Sequence, residues 1–235
     1  MLTNPDAVTV LCYGDSNTYG YPAEKVGVER WPVDVRWPGR VQELLGGGYA
    51  VIEEGLRGRT TAFDYPGGER PGRNGLTYLG PCLHSHDPLD VVVVMLGTND
   101  LKVAFGLSPA QIAEALDEYV DVIETEAASR DGGRAKVLLV SPAHVDNTCP
   151  DFAARRGVSY DETSVAKSRQ LAEYVQAVAD KRGVAFADAA SVAWVGDDGV
   201  HLARDAHAAL AELLAERIRA LSRMRGEDPV RTPPR

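Results

Sequence analysis

The feature that most constrains this chain is the run Leu89-Asp90-Val91-Val92-Val93-Val94-Met95-Leu96, which from Val91 onward has no polar residue. A strand that is apolar on both faces needs cover on both faces, as in a parallel sheet sandwiched between helices. Shorter apolar runs near 8–13, 49–53, 136–141 and 184–187 alternate with segments at 37–45, 109–128, 163–181 and 203–223. In those segments apolar residues recur at threes and fours, the helical period. Five strands alternating with helices predict an α/β fold, a three-layer α/β/α sandwich around a five-stranded parallel sheet with right-handed crossovers. Helix 109–128 carries its own start signal, Ser108 as N-cap and Pro109 in the first position.

At 235 residues and 44% hydrophobic content, such a core buries roughly 70–75% of the unfolded surface. We expect one domain over 1–225 and a polar, proline-rich, disordered tail over 226–235. The formal charge is −9, with no basic run before the tail, which argues against a nucleic-acid partner. Cys12, Cys82 and Cys149 are odd in number and scattered, which argues against a disulfide framework and for a reducing, cytoplasmic location. Met1 to Asp6 lacks the charged and apolar regions of a leader, and no apolar stretch reaches 18 residues, so neither export nor a membrane span is expected.

Three strands end in turns with chemical content. Strand 8–13 runs into Gly14-Asp15-Ser16-Asn17-Thr18-Tyr19-Gly20, where the glycines relax the backbone and present the Ser16 hydroxyl at the ligand edge of the sheet. Taken alone, the same residues read equally as a helix cap. Strand 90–96 runs into Gly97-Thr98-Asn99-Asp100, which places the Asn99 amide at the same edge as a donor to a developing oxyanion; a turn-forming Asn-Asp pair is the plain alternative. Asp100 reads as support for that turn. The segment Val51 to Thr61 ends in a turn where Gly58 lets a backbone N–H approach a substrate, or is an ordinary turn glycine. Far downstream, Asp198-Gly199-Val200-His201 precedes the last helix and supplies a base and its orienting carboxylate in one tight segment. His207 reads as packing or surface, and His84-Ser85-His86 is a poor ligand set, so no metal is expected.

Gly14-Asp15-Ser16, Gly58, Gly97-x-Asn99-Asp100 and Asp198-x-x-His201 stand in the order of the sequence blocks of the SGNH hydrolases, the GDSL esterases and lipases, and the chain resembles that family from Val8 to about Leu221. The likeness is nearer to the arylesterase/acyltransferase (perhydrolase-type) branch, through Asp34-Val35-Arg36-Trp37, Val51-Ile52-Glu53-Glu54-Gly55-Leu56, Arg59-Thr60-Thr61 and Met95 to Asp100. The resemblance implies a flavodoxin-like 2-1-3-4-5 strand order, Ser16 as nucleophile, His201 as base and Asp198 as its orienter. It also implies an oxyanion hole from the Ser16 and Gly58 N–H groups and the Asn99 side chain. Two departures stand out: Asn17 occupies the place of the motif's leucine, and Thr148 to Tyr160 has little that matches the close branch.

By this reading the chain is a serine esterase acting on small carboxylic esters through an acyl-serine intermediate, which passes to water or to an alcohol or peroxide. No cofactor is called for. The alternatives are a carbohydrate O-deacetylase or thioesterase using the same triad, and a non-catalytic flavodoxin-like anion-binding module. Tyr21, Trp31 and Phe105, in loops at the sheet edge, are expected to line an apolar pocket. In the resembled branch such loops also build subunit contacts, so a homo-oligomer is expected.

Overall fold

A computed structural model describes residues 4–25 and 27–223. The elements are β1 (Val8–Gly14), α1 (Ser16–Tyr19), α2 (Trp37–Leu45), β2 (Tyr49–Gly55), α3 (Gly75–His86), β3 (Val91–Met95), α4 (Pro109–Glu126), β4 (Lys136–Ser141), α5 (Phe152–Arg155), α6 (Glu162–Arg182), β5 (Ala185–Asp188) and α7 (Ala206–Arg223). All strand pairs are parallel and the order is β2-β1-β3-β4-β5, the α/β arrangement expected. The tail assigned to 226–235 lies outside the described residues.

The strands' period of two divides the core into two layers. Leu11, Tyr13, Val92, Val94, Val137 and Leu139 face α3, α4 and α6. Val10, Cys12, Val91, Val93, Leu138 and Val140 face α2 and α7. Both faces of β3 are fully buried, which is why its sequence shows no alternation. Ser108 and Gln111 form a reciprocal capping box at the start of α4, as the Ser-Pro start signal predicts.

Besides the one-turn α5, a longer helix escaped the sequence pattern. Helix α3 contains Gly80 and Pro81, both helix breakers in isolation, yet Leu79, Cys82 and Leu83 are buried in the core shared with α4. Asn74 caps it by accepting from Thr77 N at 3.3 Å. Tertiary burial outweighs poor local propensity here.

The register pairs Gly14 with Gly55 on one side and with Met95 on the other. The ends of β1, β2 and β3 therefore share one edge, and β1 sits where the chain winds in opposite directions, the usual place for a ligand crevice in an open α/β sheet.

Candidate active site

Both readings of the first motif hold at once. Asp15 caps the single turn of α1, accepting from Asn17 N at 2.8 Å, and this leaves the Ser16 hydroxyl free to face the crevice. Ser16 Oγ lies 2.9 Å from His201 Nε2, and His201 Nδ1 lies 2.7 Å from Asp198 Oδ2. The tight Asp198 to His201 segment is held by Asp198 Oδ1, which accepts from Val200 N at 3.0 Å and His201 N at 2.9 Å. Gly199 has φ +70°, and a Cβ there would stand 2.1 Å from Asp146 O, so glycine is required by both conformation and space.

Burial pulls the His201 pKa below its ordinary value, outweighing the hydrogen bond and charge of Asp198, which raise it; Arg156 and Arg155 add to the lowering. Asp198 is the converse. Burial raises it, but its bonds and charge contacts with His201 and Arg156 prevail and hold the carboxyl well below the usual range. A neutral imidazole beside an ionised carboxylate is the state a general base needs near neutrality.

Asn17, one of the two departures from the family pattern, grips the histidine loop from both sides. Its Oδ1 accepts from Leu202 N at 2.9 Å and its Nδ2 donates to Val200 O at 3.4 Å. The other departure, 148–160, supplies a residue that the sequence reading missed. Arg156 donates to Asp198 Oδ2 from Nε at 3.0 Å and from Nη2 at 2.6 Å, and its Nη2 lies 3.1 Å from His201 Nδ1. Arg155 stands behind it, 3.7 Å from the same oxygen. Ser159 and Tyr160 continue the segment along the cleft wall.

Across the cleft, Gly58 adopts φ +85°, reserved for glycine on steric grounds. Among the described residues neither the Ser16 nor the Gly58 N–H donates to protein, so both are available to a ligand. Thr61 ties this loop to the next, donating to Asp100 Oδ1 from its backbone N at 2.9 Å and its hydroxyl at 2.6 Å. Asp100 thus joins the loop after β2 to the Asn99 turn. The Asn99 amide is oriented by Lys102, whose ammonium donates to Oδ1 at 2.8 Å, while Nδ2 donates to Arg59 O at 3.0 Å and to Asp15 Oδ2 at 3.3 Å. The longer Asp15 contact is the one an incoming oxyanion can displace most easily. Tyr65 Oη donates to Gly58 O at 2.9 Å and so fixes the peptide behind the Gly58 turn.

Comparison with known proteins agrees with this geometry. The model of the GDSL-like Lipase/Acylhydrolase family matches residues 12–218. The chain belongs to this family. Among solved structures, the aryl esterase of M. smegmatis is 38% identical, over 92% of this chain and 100% of that one, with a TM-score of 0.83. A carbohydrate acetylesterase from Sinorhizobium meliloti is 36% identical, over 91% and 99%, with a TM-score of 0.81. An acetylxylan esterase from Xylanibacter ruminicola is 25% identical over 91% of this chain, which spans 44% of that protein's length. Membership of this acylhydrolase family, with esterases as full-length structural neighbours, makes the chain a carboxylic ester hydrolase.

The branch motifs acquire physical roles. Arg36 and Arg30 both bind the Glu53 carboxylate, at 3.1 Å and 2.9 Å. Arg59, 2% exposed, donates to Gly14 O at 2.9 Å, also bonds Glu54 O, and stacks 3.9 Å over the Tyr13 ring. These contacts lock the ends of β1 and β2 beneath the site.

The pocket residues need correction. Tyr21 does line the cleft, its ring 4.7 Å from that of His201. Trp31 does not: it is buried behind the Ser16 turn, its backbone N–H donating to Gly20 O at 2.8 Å. Phe105 packs edge-on against Tyr65 at 5.1 Å and lines an adjoining depression instead. The cleft, about 280 Å³, is polar and cationic, lined by Arg57, Arg70, Lys102 and Arg156 beside Ser16, Gly58, Asn99 and His201. Loop aromatics predict apolar cover, but these two cover the sheet end rather than the ligand.

Three of the other four histidines, His84, His86 and His207, have structural partners. His207 is buried, with Nδ1 accepting from Trp37 N at 3.3 Å, and burial pushes its pKa down to about 3. His84 lies 3.5 Å from Glu126 and His86 3.1 Å from Glu54. Glu54, His86 and Cys82 do come within 4.8 Å of one another. The Arg59 guanidinium, 3.8 Å from Glu54, already places a positive charge there, and burial pushes the Cys82 thiol up to about 12. All three cysteines are free thiols. Among the described residues, no helix is long and apolar enough to cross a membrane.

Proposed function

We propose that the chain hydrolyses small carboxylic esters through an acyl-Ser16 intermediate. The observation that carries this reading is the continuous hydrogen-bonded line from Ser16 Oγ through His201 to Asp198 at the floor of an open cleft. In this mechanism His201 Nε2 takes the hydroxyl proton as Oγ adds to the ester carbonyl. The Ser16 and Gly58 N–H groups and the Asn99 amide receive the oxyanion, and His201 returns the proton to the departing alcohol. Water, activated by the same imidazole, then releases the acid.

Two finer readings divide on the character of the cleft. Acyl transfer to an alcohol needs the same intermediate, but an apolar wall that concentrates alcohol over water is not what surrounds Ser16. A polar, cationic wall favours water and hydrophilic substrates instead. That supports carbohydrate O-deacetylation as the second reading, in keeping with the activities named for two of the relatives.

The test is a rapid-mixing experiment with p-nitrophenyl acetate. We expect a burst of nitrophenol and an acetyl group on the Ser16 peptide by mass spectrometry. Ser16→Ala should lower turnover by several orders of magnitude and abolish both signals. An acetylated peptide elsewhere, or a Ser16→Ala enzyme keeping a tenth of the activity, would remove Ser16 from the mechanism. Acetylated sugars and acyl-CoA in the same assay separate deacetylase and thioesterase from simple esterase.

A further inference from the structure

Four cationic side chains line the Ser16 cleft, and among the described residues no aspartate or glutamate does, in a chain whose net charge is −9. Two of the four are already neutralised. Arg156 binds Asp198 at 2.6 Å and Arg57 binds Glu29 at 3.1 Å. Lys102 and Arg70 are not: among the described residues, neither forms an ion pair. Lys102 Nζ donates to two neutral oxygens, Tyr65 Oη and Asn99 Oδ1, both at 2.8 Å. Arg70 lies over the same Tyr65 ring at 5.5 Å. Its Nη1 lies 2.7 Å from where a Gly58 Cβ would be.

We propose that Lys102 and Arg70 form an anion subsite beside the oxyanion hole, and that the preferred substrate is a small ester bearing a carboxylate. This deepens the esterase reading and rests on it. Three observations support it. Both cations lie over Tyr65, at 5.5 Å and 4.9 Å, and among the described residues neither is in a close ion pair, Asp15 and Asp100 acting on Lys102 only at longer range; two like charges so placed cost free energy that a bound anion would offset. Burial, and then the Arg70 charge, push the Lys102 pKa down to about 8. Arg70 is also the one described residue other than glycine with positive φ, at +50°, a strained conformation of the kind that collects at ligand clamps. A guanidinium that presents a planar fork, next to an ammonium, matches a carboxylate in geometry and charge.

The charged groups facing Lys102 are Arg70, Asp15, Arg156 and Asp100, with the Tyr65 and Tyr160 rings beside it. Burial raises Asp15 and Asp100 to about 6 each, so neither changes charge above neutrality. Lys102 is protonated below about 8 and loses its charge above it. A preference for carboxylate esters should therefore fade as pH rises through that value.

The experiment measures kcat/KM for matched carboxylate and carboxamide esters. On the alcohol side the pair is 4-carboxyphenyl acetate and 4-carbamoylphenyl acetate; on the acyl side it is ethyl hydrogen succinate and ethyl succinamate. Phenyl acetate is the neutral reference. We expect the carboxylate member of one pair to lead by about 10- to 100-fold, mainly through KM, the size of a charge-assisted hydrogen bond. The responding pair tells which part of the ester carries the anion. Arg70→Gln, which leaves Asn99 untouched, should cut that ratio most of the way to one, and Lys102→Met should do so as well. A ratio near one in both pairs, or a ratio that survives Arg70→Gln and Lys102→Met, overturns the subsite while phenyl acetate turnover keeps the esterase reading. Failure to hydrolyse phenyl acetate overturns the esterase reading itself, and the subsite with it.

Discussion

The two walls of the cleft are built on opposite principles. On the histidine side, Asp198 accepts from His201, Val200 and Arg156, while Asn17 bonds the residues flanking His201. The polar atoms of Asp198, His201 and Asn17 are answered by protein. On the oxyanion side, the Ser16 and Gly58 N–H groups and the charges of Lys102 and Arg70 are left for something else to answer. The first wall must keep its geometry while a proton moves, so over-determination is useful. The second wall has free valence because a substrate completes it.

That contrast can be broken first at Asn99, where the largest effect is expected. If its amide receives the oxyanion, Asn99→Ala should lower kcat by roughly 10²–10³, with a smaller change in KM. An effect mainly on KM would move Asn99 from oxyanion stabilisation to ground-state binding, and the second wall would be a binding surface only.

Arg156 sharpens the comparison from the other wall. The base must be neutral, and His201 sits below its ordinary value partly because of Arg156. The rise of kcat/KM with pH should thus be centred below about 6.5. Arg156→Met removes a positive charge that disfavours the imidazolium, so the inflection should move upward, with a loss of about tenfold in kcat from the slackened Asp198. An unchanged or lowered inflection would show that Arg156 serves only the loop.

These cases also show where the sequence is legible. Ser16, Asn99, Asp198 and His201 sit in short motifs at strand ends, because a turn that presents a reactive side chain needs several neighbouring residues to shape it. Their assembly at one edge follows from strand order, which the family resemblance implies and the alternating pattern alone does not give. Arg156 belongs to no motif: it works through a contact 42 residues away in sequence, and the doubled Arg155-Arg156 in a stretch foreign to the branch was its one signal. Trp31 and Phe105 misled because an aromatic loop residue looks the same whether it covers sheet or ligand. The cationic character of the cleft was hidden for a related reason, since Arg57, Arg70, Lys102 and Arg156 come from separate loops. Helix α3 was hidden by Gly80 and Pro81, whose cost is met by burial against α4.

The smallest effect is expected at Asn17, where the family pattern has leucine. Asn17→Leu deletes the bonds to Leu202 N and Val200 O and leaves a buried N–H without its acceptor, a loss of about 1–3 kcal/mol. In a domain of this size each kcal/mol is worth roughly 2–4 °C in Tm, so a drop of several degrees should appear in a thermal melt. Activity should fall only a few-fold, because Asp198 still holds His201 through Nδ1 and the backbone. A loss as large as that of Asn99→Ala would place Asn17 in the chemistry rather than in the support of the loop. An unchanged Tm would show that the histidine wall does not depend on Asn17, and the contrast between the walls would then rest on Asp198 and Arg156 alone.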